Sequence, residues 1–342
     1  MEQDAKPLVT VILFTFNQEE YVKEAVESIL EQTYQPLEVI ISDDCSGDRT
    51  LDVIEAVVTD FEGPHSVRMN RNSENQGIGK HVSNMMEAAK GELIVLAAGD
   101  DVSAHNRVEV LVKAWKEGGY PAGVGSAVTM IDATGDEIGQ REGFCGSGAV
   151  DKGEGVKVGS LEAYLGSSGF GLLGCSAAWS REILEVFGRL PDEVMNEDAA
   201  LSLRALIMGG LLSINPTLVK YRVHGGNLWT KGERGRFKTI LERRTHEKGL
   251  AKKAGYRAAL CRLGLADFQL ALDKGLVTQR QFDAHTKSLR LTYQRLRTAE
   301  EWWTYSFWSR LTHFTKLGGG FGTKVLKLFP FEVFLRVKNA LF

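Results

Sequence analysis

VTVILFTFNQEEYVKEAVESILEQTYQPLEVIISDD, residues 9–44, contains the two periodicities that decide the fold. Val9–Phe14 is a continuous apolar, β-branched-rich run, the pattern of a strand covered on both faces in a parallel sheet. Tyr21, Val22, Ala25, Val26, Ile29 and Leu30 then recur at helical spacing, with Asn17 as the expected cap and Glu20 as its capping-box partner. A second apolar strand, Leu37–Ile41, ends in Ser42-Asp43-Asp44. Working outward, Leu51, Ile54, Val57 and Val58 mark a helix, Ser66–Asn70 a short strand, and Gly79 to Ala97 a further helix and strand. This alternation predicts right-handed crossovers and a mostly parallel, doubly wound, Rossmann-like α/β sheet.

Ligands of such sheets bind outside the carboxyl ends of the strands. Those ends are polar: Thr15-Phe16-Asn17, then Asp43-Asp44, then Gly99-Asp100-Asp101 after the strand Glu92–Ala97. Four carboxylates gathered without a basic partner repel one another, so the cluster calls for a divalent cation. The plainer alternative is that Asp44 and Asp101 cap the helices that follow.

The 342 residues are 43% hydrophobic and 25% charged, which excludes disordered and fibrous classes and leaves room for one large domain and a smaller one. No apolar run reaches the ~18 residues of a spanning helix, and Leu8–Phe14 is too short for a signal peptide, so a cytoplasmic protein is expected. Cys45, Cys145, Cys175 and Cys261 lack metal or disulfide spacing and read as reduced thiols. The net charge of −3 hides an asymmetry. Residues 1–230 carry 18 Lys and Arg against 35 Asp and Glu, a net −17, whereas residues 231–342 carry 23 against 9, a net +14. Such a split suggests that one part faces an anionic surface.

Over residues 8–117 the chain resembles the family 2 glycosyltransferases, inverting enzymes of the GT-A fold that use nucleotide-diphosphate sugars. VTVILFTFNQEEYVKEAVESILEQTY, LEVIISDDCSGDRT, ENQG, AKGELIVLAAGDD and RVE carry the resemblance, followed more weakly by NEDAALSLRALIMGG and VKYRVHGGN. It implies that Thr15, Phe16, Asn17, Asp43 and Asp44 hold the nucleoside, Asp44 accepting a base imide N–H and Phe16 stacking on the base. The family's D-x-D motif falls on Ala98-Gly99-Asp100, so its first carboxylate is absent. Gly99 and Asp100 then meet the donor, with Asp100 as the ligand of Mn²⁺ or Mg²⁺. Val82 stands where the family often has Arg, and Lys80 is the candidate replacement for phosphate charge. The Asp of the Glu197-Asp198 pair, at the start of a helix ended by Gly209, is the implied general base. His224, in Tyr221-Arg222-Val223-His224, is the implied second metal ligand, and Arg222 pairs with either the diphosphate or the acidic sheet rim. Gly166–Gly174 is read as backbone close to the acceptor.

These readings give a catalytic domain over 1–230 and a basic, aromatic-rich helical extension over 231–342. The extension has Thr278 as a cap, no nucleic-acid motif, and Trp302, Trp303, Phe307, Trp308 and Phe314 among Arg310 and Lys316. It fits an interfacial helix lying on anionic lipid, with the enzyme peripheral on the cytoplasmic membrane face. It equally fits a helical subdomain packed on the catalytic domain or on a second subunit of a homo-oligomer. The expected partners are a nucleotide-diphosphate sugar and a glycan or lipid-linked acceptor in cell-surface polysaccharide biosynthesis. The alternative is a decayed nucleotide-sugar-binding scaffold, motivated by Ala98.

Overall fold

The computed structural model describes residues 6–145, 149–166, 171–225 and 240–301. The expected alternation opens the chain: β1 (Val9–Thr15), α1 (Val22–Leu30), β2 (Leu37–Asp43), α2 (Thr50–Thr59), β3 (Ser66–Arg71), α3 (Ile78–Ala88) and β4 (Leu93–Ala98). β5 (Val102–Ser103), α4 (Arg107–Glu117), β6 (Gly123–Ile131), β7 (Glu137–Arg141), β8 (Phe144–Cys145), β9 (Val150–Gly153) and β10 (Val156–Val158) follow. Next come α5 (Leu161–Gly166), β11 (Gly171–Leu172), β12 (Ala177–Ser180), α6 (Glu182–Phe187), α7 (Glu197–Met208), β13 (Leu211–Arg222), α8 (Ile240–Asp273) and α9 (Gln279–Glu301).

The main sheet runs in the order β3-β2-β1-β4-β12-β6-β13-β10-β9, with β5 on β13 and β7 on β6. β1 is parallel to both β2 and β4, with Thr15 opposite Asp43 and Phe14 opposite Ala98. β12 enters antiparallel between β4 and β6, and β13 runs parallel to β6. All seven residues of β1 and of β2 are buried, as a sheet covered on both faces requires. The core packs Val11, Leu13, Val39, Ile41 and Val95 of the strands against Val22, Val26 and Ile29 of α1 and Leu111 and Trp115 of α4. β1, β2 and β4 run in the same direction, so the loops after them share one edge of the sheet, and the strand order reverses at β1.

Two expectations change. Helix α1 begins after Tyr21 without a side-chain cap, because Asn17 has φ 51° and its Oδ1 accepts the Gly47 N–H at 2.8 Å. The chain also divides into one compact unit of Met1–Glu233 with Ala266–Phe282, and a second of Arg234–Leu265 with Asp283–Phe342. The first unit thus takes in a segment that the sequence reading assigned to the extension. Asp267 and Phe268 are buried there, with Asp267 bonded to Arg204 of α7. Gly275 at φ 71° separates α8 from α9, and Thr278 caps α9 reciprocally with Gln281 as expected. The aromatic and cationic stretch from Trp302 onward lies outside the described residues, as do 167–170 of the Gly-rich segment. Among the described residues no helix is long and apolar enough to cross a membrane.

Candidate active site

The loops after β1 and β2 are stitched together by the residues expected to meet a nucleoside. Thr15 Oγ1 donates to Asp43 Oδ1 at 3.1 Å, and Asp43 Oδ2 accepts the Ser46 N–H at 2.8 Å. Ser46 Oγ donates to Asp43 and accepts the Asn17 N–H at 2.9 Å. Asp44 reaches the next loop: Oδ1 accepts from Asn72 Nδ2 at 2.7 Å and from the Gln76 N–H at 2.9 Å, and Oδ2 from the Gly77 N–H at 2.9 Å. A carboxylate has about four lone-pair sites, so three donors leave Asp44 about one for a ligand. Phe16 is 45% exposed, with ring surface free for stacking. Beneath this wall His81 is buried, its Nε2 2.6 Å from Ser42 Oγ and its ring edge-on to Phe14, and burial lowers its pKa.

The four carboxylates therefore do not share a cation. Asp43 and Asp44 are hydrogen-bonded by N–H and hydroxyl donors, and neither Asp44 nor Asp101 caps a helix. Among the described residues no group of three or more His, Cys, Asp or Glu side chains is arranged to hold a metal. Lys80, on α3, pairs with Asp192 at 3.8 Å, and Val82 is buried.

Past β4 the chain turns at Gly99, whose N–H donates to the Phe14 carbonyl at 2.9 Å. A Cβ at Gly99 would lie 2.5 Å from Gln18 Oε1 and 2.8 Å from Thr15 Cγ2, so only glycine allows this approach. Asp100 Oδ2 then stands 3.0 Å from His224 Nε2. That spacing matches two adjacent donors of an octahedral ion, which lie about 2.9 Å apart for bonds of ~2.05 Å. One carboxylate and one imidazole are also a donor set that Mn²⁺ accepts. The two residues thus fit a divalent ion, which they would hold through one carboxylate oxygen and one imidazole nitrogen.

Asp101 is buried, its Oδ1 accepts the Arg222 N–H at 2.9 Å, and its carboxyl lies beside the Cys175 thiol. Burial, then the Asp100 charge, pushes it up to about 8. Arg107 lies fully buried nearby, donating to the carbonyls of Leu96 and Cys175, both at 2.8 Å, and so fixing β4 to the turn at 174–176. Arg222 goes to the sheet rim, bonding Glu24 at 2.7 Å and the Asp100 carbonyl at 3.0 Å.

Glu197 and Asp198 open α7, which Gly209 ends at φ 119°. Burial, followed by the Asp198 charge, pushes Glu197 up to about 8, and burial also raises Asp198. Asp198 Oδ1 accepts the Ala199 N–H at 2.6 Å. Gly174 faces both carboxyls: a Cβ there would lie 3.7 Å from Glu197 Oε1 and 3.9 Å from Asp198 Oδ2. The bare backbone expected of the Gly-rich segment therefore sits beside the expected base. Arg141 exerts its charge on both Asp198 and Tyr221, and Tyr221, whose pKa burial pushes up to about 12, also feels Asp100 and Asp101.

Sequence reasoning missed the roles of Tyr21, Arg107 and Arg141. Arg107 lay within the quoted RVE motif, but nothing local tells a buried arginine from a solvated one. Tyr21 was read only as part of an apolar helix face.

The description glycosyl transferase family 2 matches residues 10–186. The chain is 34% identical over 111 residues to glycosyltransferase GlyG of Streptococcus pneumoniae, covering 32% of this chain and 36% of that protein. It is 33% identical over 104 residues to TuaG of Bacillus subtilis, a glycosyltransferase named for teichuronic acid biosynthesis, covering 30% and 40%. The chain thus spans less than half the length of these curated relatives. Residues 1–349 of S. aureus TarS in complex with UDP-GlcNAc superpose with a TM-score of 0.51 at 14% identity, covering 85% of this chain and 92% of that one. At that identity the likeness concerns the fold alone.

Proposed function

The chain belongs to glycosyl transferase family 2, and we propose that it moves a sugar, with inversion, from a nucleotide-diphosphate sugar to a hydroxyl of a glycan or lipid-linked acceptor in cell-surface polysaccharide assembly. The observation that supports this reading best is the Asp100–His224 pair at 3.0 Å, together with a buried Asp198 carboxyl beside the bare backbone of Gly174. The base stacks on Phe16, with the remaining acceptor site of Asp44 turned to its imide N–H. A divalent ion held by Asp100 and His224 would neutralise charge on the leaving diphosphate. Asp198 takes the proton of the acceptor hydroxyl as its oxygen bonds to the anomeric carbon. The bond from that carbon to the diphosphate breaks on the opposite face, and its electron pair leaves with the diphosphate oxygen. A raised pKa suits this role, since a base titrating nearer the working pH is the better proton acceptor.

The test is Asp198→Asn, assayed for release of nucleoside diphosphate from UDP-, GDP- and dTDP-sugars with acceptor glycan fractions and, separately, for donor binding. Turnover should fall by at least 10²-fold with donor affinity unchanged. Binding with no turnover in the wild-type chain would replace this reading with the scaffold that Ala98 allows. Equal loss of binding and turnover in Asp198→Asn would remove the base assignment.

A further inference from the structure

Arg222 is joined to more of the site than any role as a diphosphate ligand requires. Its side chain is 4% exposed. Nε donates to the Asp100 carbonyl at 3.0 Å, Nη1 to the carbonyls of Asp132 at 3.4 Å and Ala133 at 3.2 Å, and Nη2 to Glu24 Oε2 at 2.7 Å. Its guanidinium carbon lies 4.8 Å from the centroid of the Tyr21 ring, and its own N–H bonds Asp101. From β13 the fork thus reaches three segments distant in sequence: the start of α1, the turn after β4 and the turn after β6.

Both members of the Asp100–His224 pair are one step from that fork. The Asp100 carbonyl is bonded directly to Arg222 Nε. His224 follows two residues later, its ring 4.9 Å from the Tyr21 ring on which Arg222 also rests, while the intervening Val223 N–H continues the ladder to Ile131 at 2.8 Å. Tyr21 ends the loop that begins at Phe16, so the same contacts tie the expected nucleoside loop to the expected metal corner.

We propose that Arg222 is a positioning residue that sets the spacing of Asp100 and His224 by clamping both against Tyr21 and Glu24. The proposal rests on the reading of that pair as the donor's metal corner. Lysine cannot substitute, because a single ammonium cannot reach three carbonyls and a carboxylate while stacking on a ring.

The experiment uses the full chain and two readouts. In the metal-free protein, the His224 ring-proton resonance, assigned by its loss in His224→Asn, reports the ring's place on Tyr21. Mn²⁺ affinity with UDP or GDP present is measured by calorimetry. Arg222→Lys should move the resonance toward its value in an unfolded chain and weaken Mn²⁺ by about 10–100-fold, the usual effect of losing an outer-shell partner. Tyr21→Phe should keep the resonance and Tyr21→Ala lose it. A folded Arg222→Lys with both readouts at wild-type values overturns the proposal. If Arg222→Lys does not fold, Glu24→Gln replaces it, since Glu24 is 63% exposed. A moved His224 resonance in that variant supports the clamp and an unmoved one overturns it. If the wild-type chain binds no Mn²⁺ while Arg222→Lys still moves the resonance, the metal reading fails and the clamp stands.

Discussion

Replacing Asp267 tests whether the segment Ala266–Phe282 belongs energetically to the catalytic unit. Arg204 and Asp267 are 2% and 5% exposed, with Nε to Oδ2 at 2.9 Å and Nη2 to Oδ1 at 3.3 Å. Arg204 also donates to the Gly188 carbonyl at 2.7 Å and lies over the Phe187 ring at 5.3 Å. Asp267→Asn leaves a buried guanidinium without its counter-charge, which costs about 3–5 kcal/mol. At about 2–4 °C per kcal/mol for a unit of this size, the melting temperature should fall by about 6–20 °C. The intact pair is not a strong net stabiliser, because burial raises the Asp267 pKa even with Arg204 bonded to it. A raised carboxyl adds stability that is fully present below its unfolded pKa and is lost as pH rises through the folded value. Arg204→Met with Asp267→Leu should therefore recover most of the loss. Urea unfolding followed by circular dichroism measures all three proteins. A loss below about 1 kcal/mol in Asp267→Asn, the range of an exposed pair, would refute the reasoning, as would a double variant no better than the single one.

Gly99→Ala brings a Cβ to 2.5 Å from Gln18 Oε1 and 2.8 Å from Thr15 Cγ2; overpacking of this kind costs about 1–3 kcal/mol, and an unchanged urea midpoint would contradict it. Phe16→Ala should weaken nucleoside diphosphate binding by about 5–150-fold, from ~1–3 kcal/mol of stacking, with no change in melting temperature; titration of the diphosphate measures it. Because Arg141 lowers the Asp198 pKa that burial raises, Arg141→Gln should shift the acid limb of the rate profile to higher pH, and a limb moved down or not at all contradicts that placement. Glu197, raised from 4.5 to about 8, contributes stability present below pH 4.5 and lost toward pH 8; Glu197→Gln should flatten unfolding free energy across that window, as read from urea midpoints at several pH values.

Much of the fold was legible because it rests on local periodicity. β1, β2, β3 and β4 fall within two residues of the stretches that announced them, and Thr278 opens α9 and Gly209 ends α7 as their types suggest. The exceptions turn on distant partners. Asn17 has the right type for a cap, yet the Gly47 N–H, 30 residues on, takes its oxygen. Counting carboxylates at strand ends could not reveal that Asp43 is met by a backbone N–H of its own loop and Asp44 by two from the loop after β3. The antiparallel entry of β12 between β4 and β6 carries no signal in Ala177–Ser180 itself. Asp267 in a basic, helical stretch looked like one more solvated charge, and only the burial of Arg204, 63 residues earlier, draws it into the first unit.

The most direct test of the site is calorimetric titration of UDP, GDP and dTDP with and without Mn²⁺, on the wild-type chain, Asp100→Ala and His224→Ala. One diphosphate should bind tightly only with Mn²⁺, and both variants should lose the metal-dependent part while keeping any metal-free binding at Phe16. Binding indifferent to Mn²⁺, or Mn²⁺-dependent binding unchanged in both variants, would contradict the assignment of Asp100 and His224 as the donor's metal corner.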